Sequence, residues 1–268
     1  MSSSRTVSPI ANFDFSSMSL EKPTLNMGGQ GYSSRINPSK GGLYIQTPKI
    51  YCPFGANVYV PDHGRPKYSL SISLRDKDTD TKVKEFADFC EKFDTFMIEN
   101  TLNDDSFLEQ LNVGKAKSKG KSALEAVVDG FYTPVVKQGK TKNGKTYPAM
   151  INIKLSQYRD GNFVTSLFDK RGKMIGPITE ETIKDQIPPQ SHVRLVFHVQ
   201  KVWFSGGTKY GITLNATQLK VYPPKKEQGC MMVHSDDEES DNEEEDNYVV
   251  SDEEDDDDVV VSDEEDDE

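Results

Sequence analysis

The chain has 268 residues, with 32 Lys and Arg against 44 Asp and Glu, for a formal charge of −12. The whole is the wrong unit, because the 34 residues from Ser235 to Glu268 hold 22 of the acids and no Lys or Arg. That leaves 32 basic and 22 acidic residues before the tail, so a body of +10 carries a tail of −22. Such asymmetry points to a nucleic-acid-facing body with an acidic appendage. Three scattered cysteines, Cys52, Cys90 and Cys230, make no disulfide framework and indicate a reducing, intracellular setting. No apolar run nears the roughly 20 residues of a membrane helix, and no signal peptide is evident at the N-terminus.

Taken in chain order, residues 1–35 are rich in Ser, Gly and Asn and read as a flexible segment with short docking pieces. Strand patterning begins in G-G-L-Y-I-Q-T-P-K (41–49), closed by Pro48, and continues at 57–60. In 67–75, Tyr68, Leu70, Ile72 and Leu74 alternate with polar residues, the mark of a strand with one buried face. Val83, Phe86, Cys90, Phe93 and Met97 then fall at helical steps over 80–101, with Asp78 or Asp80 as the cap. A second short helix is expected at about 104–111. Strands resume at 131–137 and 146–155, flanking a loop with the hairpin signal Asn143-Gly144. A strand at 162–168 and a short helix at 179–187 follow, and 191–204 with 209–222 form a last hairpin across Ser205-Gly206-Gly207. The sum is a mainly β domain, an OB-fold-type small barrel with an inserted helix, spanning 36–226. It is flanked by the flexible N-terminus and a disordered acidic tail, 227–268.

No catalytic or metal-binding motif is present: the four histidines are scattered, and no Cys-x-x-Cys, H-E-x-x-H, G-x-S-x-G or phosphate-loop pattern occurs. The expectation is a non-enzymatic protein without metal or cofactor. The basic residues say more. Lys115, Lys117, Lys119 and Lys121 recur at every second position. Lys137, Lys140, Lys142 and Lys145 fill one loop, and Lys170, Arg171 and Lys173 fill a D-K-R-G-K turn. Aromatic residues stand close by: Tyr132, Tyr147, Tyr158 beside Arg159, Phe168, Trp203, and Tyr210 beside Lys209. Rings for stacking unpaired bases and cations for the backbone are the mixture that holds single-stranded DNA or RNA. Helix-turn-helix, zinc-finger and basic-zipper patterns for duplex reading are absent.

The tail repeats V-V-S-D-E-E-D-D at 249–256 and 260–267. Ser235, Ser240, Ser251 and Ser262 each precede acids and suit an acidophilic kinase. A polyanion of this kind can occupy the protein's own basic groove until DNA displaces it. Two further readings are an acidic-tailed chaperone of histones or other basic proteins, and a nucleic-acid-processing enzyme with an unrecognised site.

The block L-Y-I-Q-T-P-K (43–49), with Cys52-Pro53-Phe54-Gly55, the strand from Tyr68 to Leu74 and K-Y-G-I-T-L (209–214), resembles the single-stranded DNA-binding proteins of nucleocytoplasmic large DNA viruses. Those proteins resemble the OB-fold replication proteins of short-tailed phages, which also carry acidic C-termini. The resemblance implies an OB-fold and sequence-independent strand binding in viral DNA replication, recombination or repair. It also implies recruitment of replication partners such as a DNA polymerase through the tail, at a site in the nucleus or cytoplasm of a eukaryotic host, with homo-oligomerisation open. The phage tails end in an aromatic residue, whereas this chain ends at Glu268.

Overall fold

The computed structural model describes residues 6–26, 31–37, 41–142 and 145–224, without the side chains of Lys142 and Lys145. The acidic tail and its four serines lie outside the described residues. So do Asn143 and Gly144.

The N-terminal segment supplies three short strands, β1 (Val7–Ser8), β2 (Thr24–Leu25) and β3 (Tyr32–Arg35). The docking pieces are therefore extensive, and the boundary expected at residue 36 cuts through paired backbone. The rings of Phe13 and Phe15 pack at 5.4–5.5 Å from Phe89, and Phe15 also meets Phe93 and Phe96. Burying such rings repays the ordering of a Ser-rich segment that has little else to bury.

The run at 41–49 is β4 (Leu43–Gln46), and β5 (Ile50–Cys52) follows it. Pro48 has no N–H for a ladder, so the strand breaks there. Thr47 bridges the break: its N–H donates to the Leu195 carbonyl, and its hydroxyl oxygen accepts from the Leu195 N–H. Next come β6 (Ala56–Tyr59) and β7 (Lys67–Ser73), an antiparallel pair in which Tyr68, Leu70 and Ile72 face the core. Helix α1 (Thr81–Asn103) begins where Asp80 accepts from the N–H groups of Lys82 and Val83. Its stripe of Val83, Phe86, Cys90, Phe93 and Met97 is buried as the spacing requires. Short helices α2 (Asp105–Leu108) and α3 (Gly114–Lys117) lead to α4 (Lys121–Phe131). Helix α4 was not expected. Leu124, Val127, Val128 and Phe131 have helical spacing, but the lysines before them draw attention to charge instead.

Strands β8 (Tyr132–Thr133), β9 (Val136–Lys137), β10 (Thr141–Lys142) and β11 (Lys145–Thr146) precede β12 (Met150–Lys154). β9 pairs antiparallel with β12, and the loop between them carries the small β10–β11 hairpin. After β13 (Ser166–Phe168) and the short α5 (Ile183–Gln186), the chain closes with β14 (Ser191–Ser205) and β15 (Lys209–Tyr222).

Five strands close a barrel. β14 pairs with β5, β5 with β7, β7 with β12, β12 in parallel with β15, and β15 again with β14. Register shifts at Val196/Phe197 and Val199/Lys201 bend the long hairpin enough to close the ring. The long helical insertion enters between the second and third barrel strands. Asp94 on α1 ties it down, accepting from the Tyr132 hydroxyl at 2.7 Å and from the N–H groups of Val135 and Val136. Burial pushes the Asp94 carboxyl above the usual carboxylate range, against the pull of these donors. Cys52 and Cys90 are buried free thiols, and burial lifts Cys52 to about 11. Among the described residues no helix is long and apolar enough to cross a membrane.

Candidate nucleic-acid interface

Alternation on a strand sends every second side chain outward. Across this barrel the outward positions line up. Tyr222 is the cross-strand partner of His192, His192 of Tyr51, Tyr51 of Ser73, Ser73 of Met150, and Met150 of Lys137. Six positions on six strands thus form one row, about 24 Å long at the usual strand spacing, with Ser73 in its middle covered at 4% exposure.

One end of the row is aromatic and cationic. The Tyr51 and His192 rings lie 5.4 Å apart. The Arg75 guanidinium sits 3.4 Å over the Tyr51 ring, and the Lys49 ammonium sits 4.8 Å over Tyr222. One step along the strands, Arg194 faces Lys220 and Lys220 faces Phe168. Burial, then the charges of Lys49 and Arg75, hold the His192 imidazole below its ordinary range, opposed by Asp76. Asp76 also pairs with Arg75 at 3.3 Å. Unpaired bases stack on tyrosine, histidine and guanidinium planes, and cations beside those planes meet the phosphates.

Beside the row, further along β7 and β12, the same face is polar. Asn57 donates to the Ser71 hydroxyl, which donates to Asn152. Ser69 and Lys154 are the next cross-strand pair outward, and Asn215 partners Lys154 on the far side. Here the face offers hydrogen bonds rather than rings.

The expected contact residues divide. Tyr132 and Tyr210 are a correction: at 8% and 0% exposure they are core residues, their rings 5.1 Å apart, and neither can stack on a base without unpacking the barrel. Trp203 is half-buried and lies across Gly211, where a β-carbon would stand 2.8 Å from the indole. Tyr147 and Tyr158 are 50% and 52% exposed. Lys137 joins the row, and Lys140 is exposed on its loop. Arg159, Lys170, Arg171, Lys173 and Lys209 are also exposed. Asp169 shapes the basic turn by accepting from the N–H groups of Arg171 and Lys173. Lys115, Lys117, Lys119 and Lys121 stand on or beside α3 and α4 rather than beside strands. Lys117 and Lys121 reach Asp105 and Glu125. Their unit meets the last hairpin turn through Asn112, whose N–H donates to Gly207. The side chains of Lys142 and Lys145 are outside the described set.

Sequence reasoning missed Lys49, Tyr51, Arg75, His192, Arg194, Lys220 and Tyr222. No cluster in the sequence marks them, because they are gathered by register. The available signal was that Tyr51, His192, Arg194, Lys220 and Tyr222 occupy the polar phase of a strand, with Lys49 and Arg75 just beyond strand ends. Among the described residues no group of three or more His, Cys, Asp or Glu is placed to hold a metal ion.

No family model and no curated protein matches the chain. Among solved structures, it is similar to the single-stranded DNA-binding protein from bacteriophage Enc34 in complex with ssDNA. That match has 16% identity, a TM-score of 0.40, and covers 78% of this chain and 98% of that one. A C-terminal truncation of the same phage protein gives 14% identity and a TM-score of 0.38, over 79% and 98% of the two chains. For gp2.5, a single-stranded DNA binding protein encoded by bacteriophage T7, identity is 11% and the TM-score 0.38, over 74% and 98%.

Proposed function

We propose that this chain is a non-enzymatic protein that binds single-stranded DNA without regard to sequence and protects it during viral DNA replication, recombination or repair. The observation that carries the reading is the Tyr222–His192–Tyr51 row with Arg75 and Lys49 set on its rings. Stacking of this kind is worth about 1–3 kcal/mol per base and tolerates any base, because each has a π-face. A duplex hides those faces and meets the row only through its phosphates.

The tail completes the proposal. Its 22 carboxylates compete with the strand for the cationic body and, once displaced, recruit basic replication partners such as a polymerase. Phosphorylation at Ser235, Ser240, Ser251 or Ser262 adds about −1.5 to −2 charges each and strengthens the competitor. The setting that suits this role is a replication site inside a eukaryotic host cell.

The test is a titration of fluorescent oligothymidylate and matched duplex across a salt series, with the full chain and with 235–268 removed. Strand binding should exceed duplex binding. Log K should fall with log salt at a slope near −4 if about six phosphates are engaged, and truncation should raise affinity. Duplex or histones binding as tightly as the single strand would overturn the reading.

A further inference from the structure

Arg194 and Lys220 face each other directly across the closing hairpin, on the outside of the barrel. Like charges at that position destabilise a sheet. Neither has a carboxylate partner among the described residues; Lys220 instead leans toward the Tyr222 ring at 5.8 Å. The nearby Asp169 carboxylate is engaged by its own turn. A fold that keeps two unneutralised cations in register is built to receive an anion.

The space around them has the size of a small ligand. An open pocket of about 190 Å³ is lined by Arg194, Lys220, Gln46, Gln218, Phe168 and Gly172 of the basic turn. Register places these groups together: Phe168 partners Lys220, and Gln46 and Gln218 flank Val196. Gly172 has φ +84, and a β-carbon there would stand 3.7 Å from the Lys220 ammonium, so the turn comes close without crowding the cation.

We propose that this cavity is a nucleotide subsite. One unpaired nucleotide seats its phosphate between Arg194 and Lys220 and lays its base against Phe168, within reach of the two amides. Two cations opposite one ring match a phosphate joined to a base. Bound phosphate also removes the repulsion that the empty sheet carries. The inference rests on the strand-binding reading and deepens it. A free nucleoside monophosphate offers the same chemistry as one unit of a strand, so both are probes.

The experiment uses the full chain, Arg194→Gln/Lys220→Gln and Phe168→Leu, with oligothymidylate, free thymidine monophosphate and inorganic phosphate as ligands. The double variant should bind the oligonucleotide about tenfold more weakly, with a salt slope shallower by about 1.4 for two lost single-strand contacts. Its melting temperature should equal or exceed that of the parent, since a like-charge pair has gone. Phe168→Leu should weaken oligonucleotide binding about fivefold at an unchanged slope. Thymidine monophosphate should bind the parent and not the double variant. Parent-like strand binding by the double variant would overturn the subsite while leaving strand binding intact. Monophosphate binding without strand binding would overturn the strand reading and keep the subsite. Inorganic phosphate binding as tightly as the monophosphate, with Phe168→Leu silent, would overturn its assignment to a nucleotide.

Discussion

Two cationic regions compete for the role of contact surface, and they are built differently. The helical run has four lysines within seven residues, all exposed, two of them paired with Asp105 and Glu125. The barrel row has fewer charges, but Arg75 lies on Tyr51, Lys49 on Tyr222, and Lys220 leans toward the same ring. Dense exposed lysine raises the local potential and speeds encounter. A ring with a cation in register supplies a platform that holds a base once it arrives. Under the proposed function, the difference separates steering from holding.

The largest expected effect comes from releasing what fastens the helical unit to the barrel. Asp94→Ala strands a buried tyrosine hydroxyl and two backbone N–H groups. The expected cost is about 3 kcal/mol in chemical denaturation, with Asp94→Asn milder because an amide oxygen still accepts. A loss below about 1 kcal/mol would show that the two regions are joined by packing alone. The next effect compares the regions directly. Tyr51→Leu/Tyr222→Leu keeps apolar bulk and removes both rings, and should cost about 2 kcal/mol of single-strand affinity. Lys115→Gln/Lys119→Gln should cost about 0.5 kcal/mol and act mainly on the association rate at low salt. If the lysine pair proves the costlier of the two, the assignment of holding and steering is reversed.

The fold was legible where periodicity is long and single-phased. The 67–75 alternation, the α1 stripe with its Asp80 cap and the closing hairpin all follow from local patterns that tertiary packing reinforces. Helix α4 was obscured because its four apolar residues follow a lysine run that reads as loop. The N-terminal strands were hidden because Ser-rich sequence forms strand only when a barrel edge and the α1 phenylalanines are there to receive it. Part of the expected site is surface and part is core. Rings near cations recur on the barrel row, yet Tyr132 and Tyr210 are spent on the core. The row's members are up to 171 positions apart in sequence, from Tyr51 to Tyr222. Only the register, which the sequence does not print, makes them neighbours.

The smallest effect distinguishes the row by its proton. His192 titrates below its ordinary range because it is partly buried and sits near Lys49 and Arg75, with Asp76 opposing them. In the unfolded chain the ordinary value is about 6.5, so the unfolded state takes up the proton first as pH falls. The stability that neutral His192 contributes is therefore present above about 6.5 and is lost as pH falls through the lower folded value. A phosphate on the row has the opposite influence, since it favours the imidazolium and draws a proton in with the strand. Single-strand affinity should thus rise by a few-fold, and less than tenfold, per pH unit between about 7 and 5.5, while the free protein loses stability. His192→Gln should flatten both curves. A variant that keeps the affinity rise would take His192 out of the strand's path.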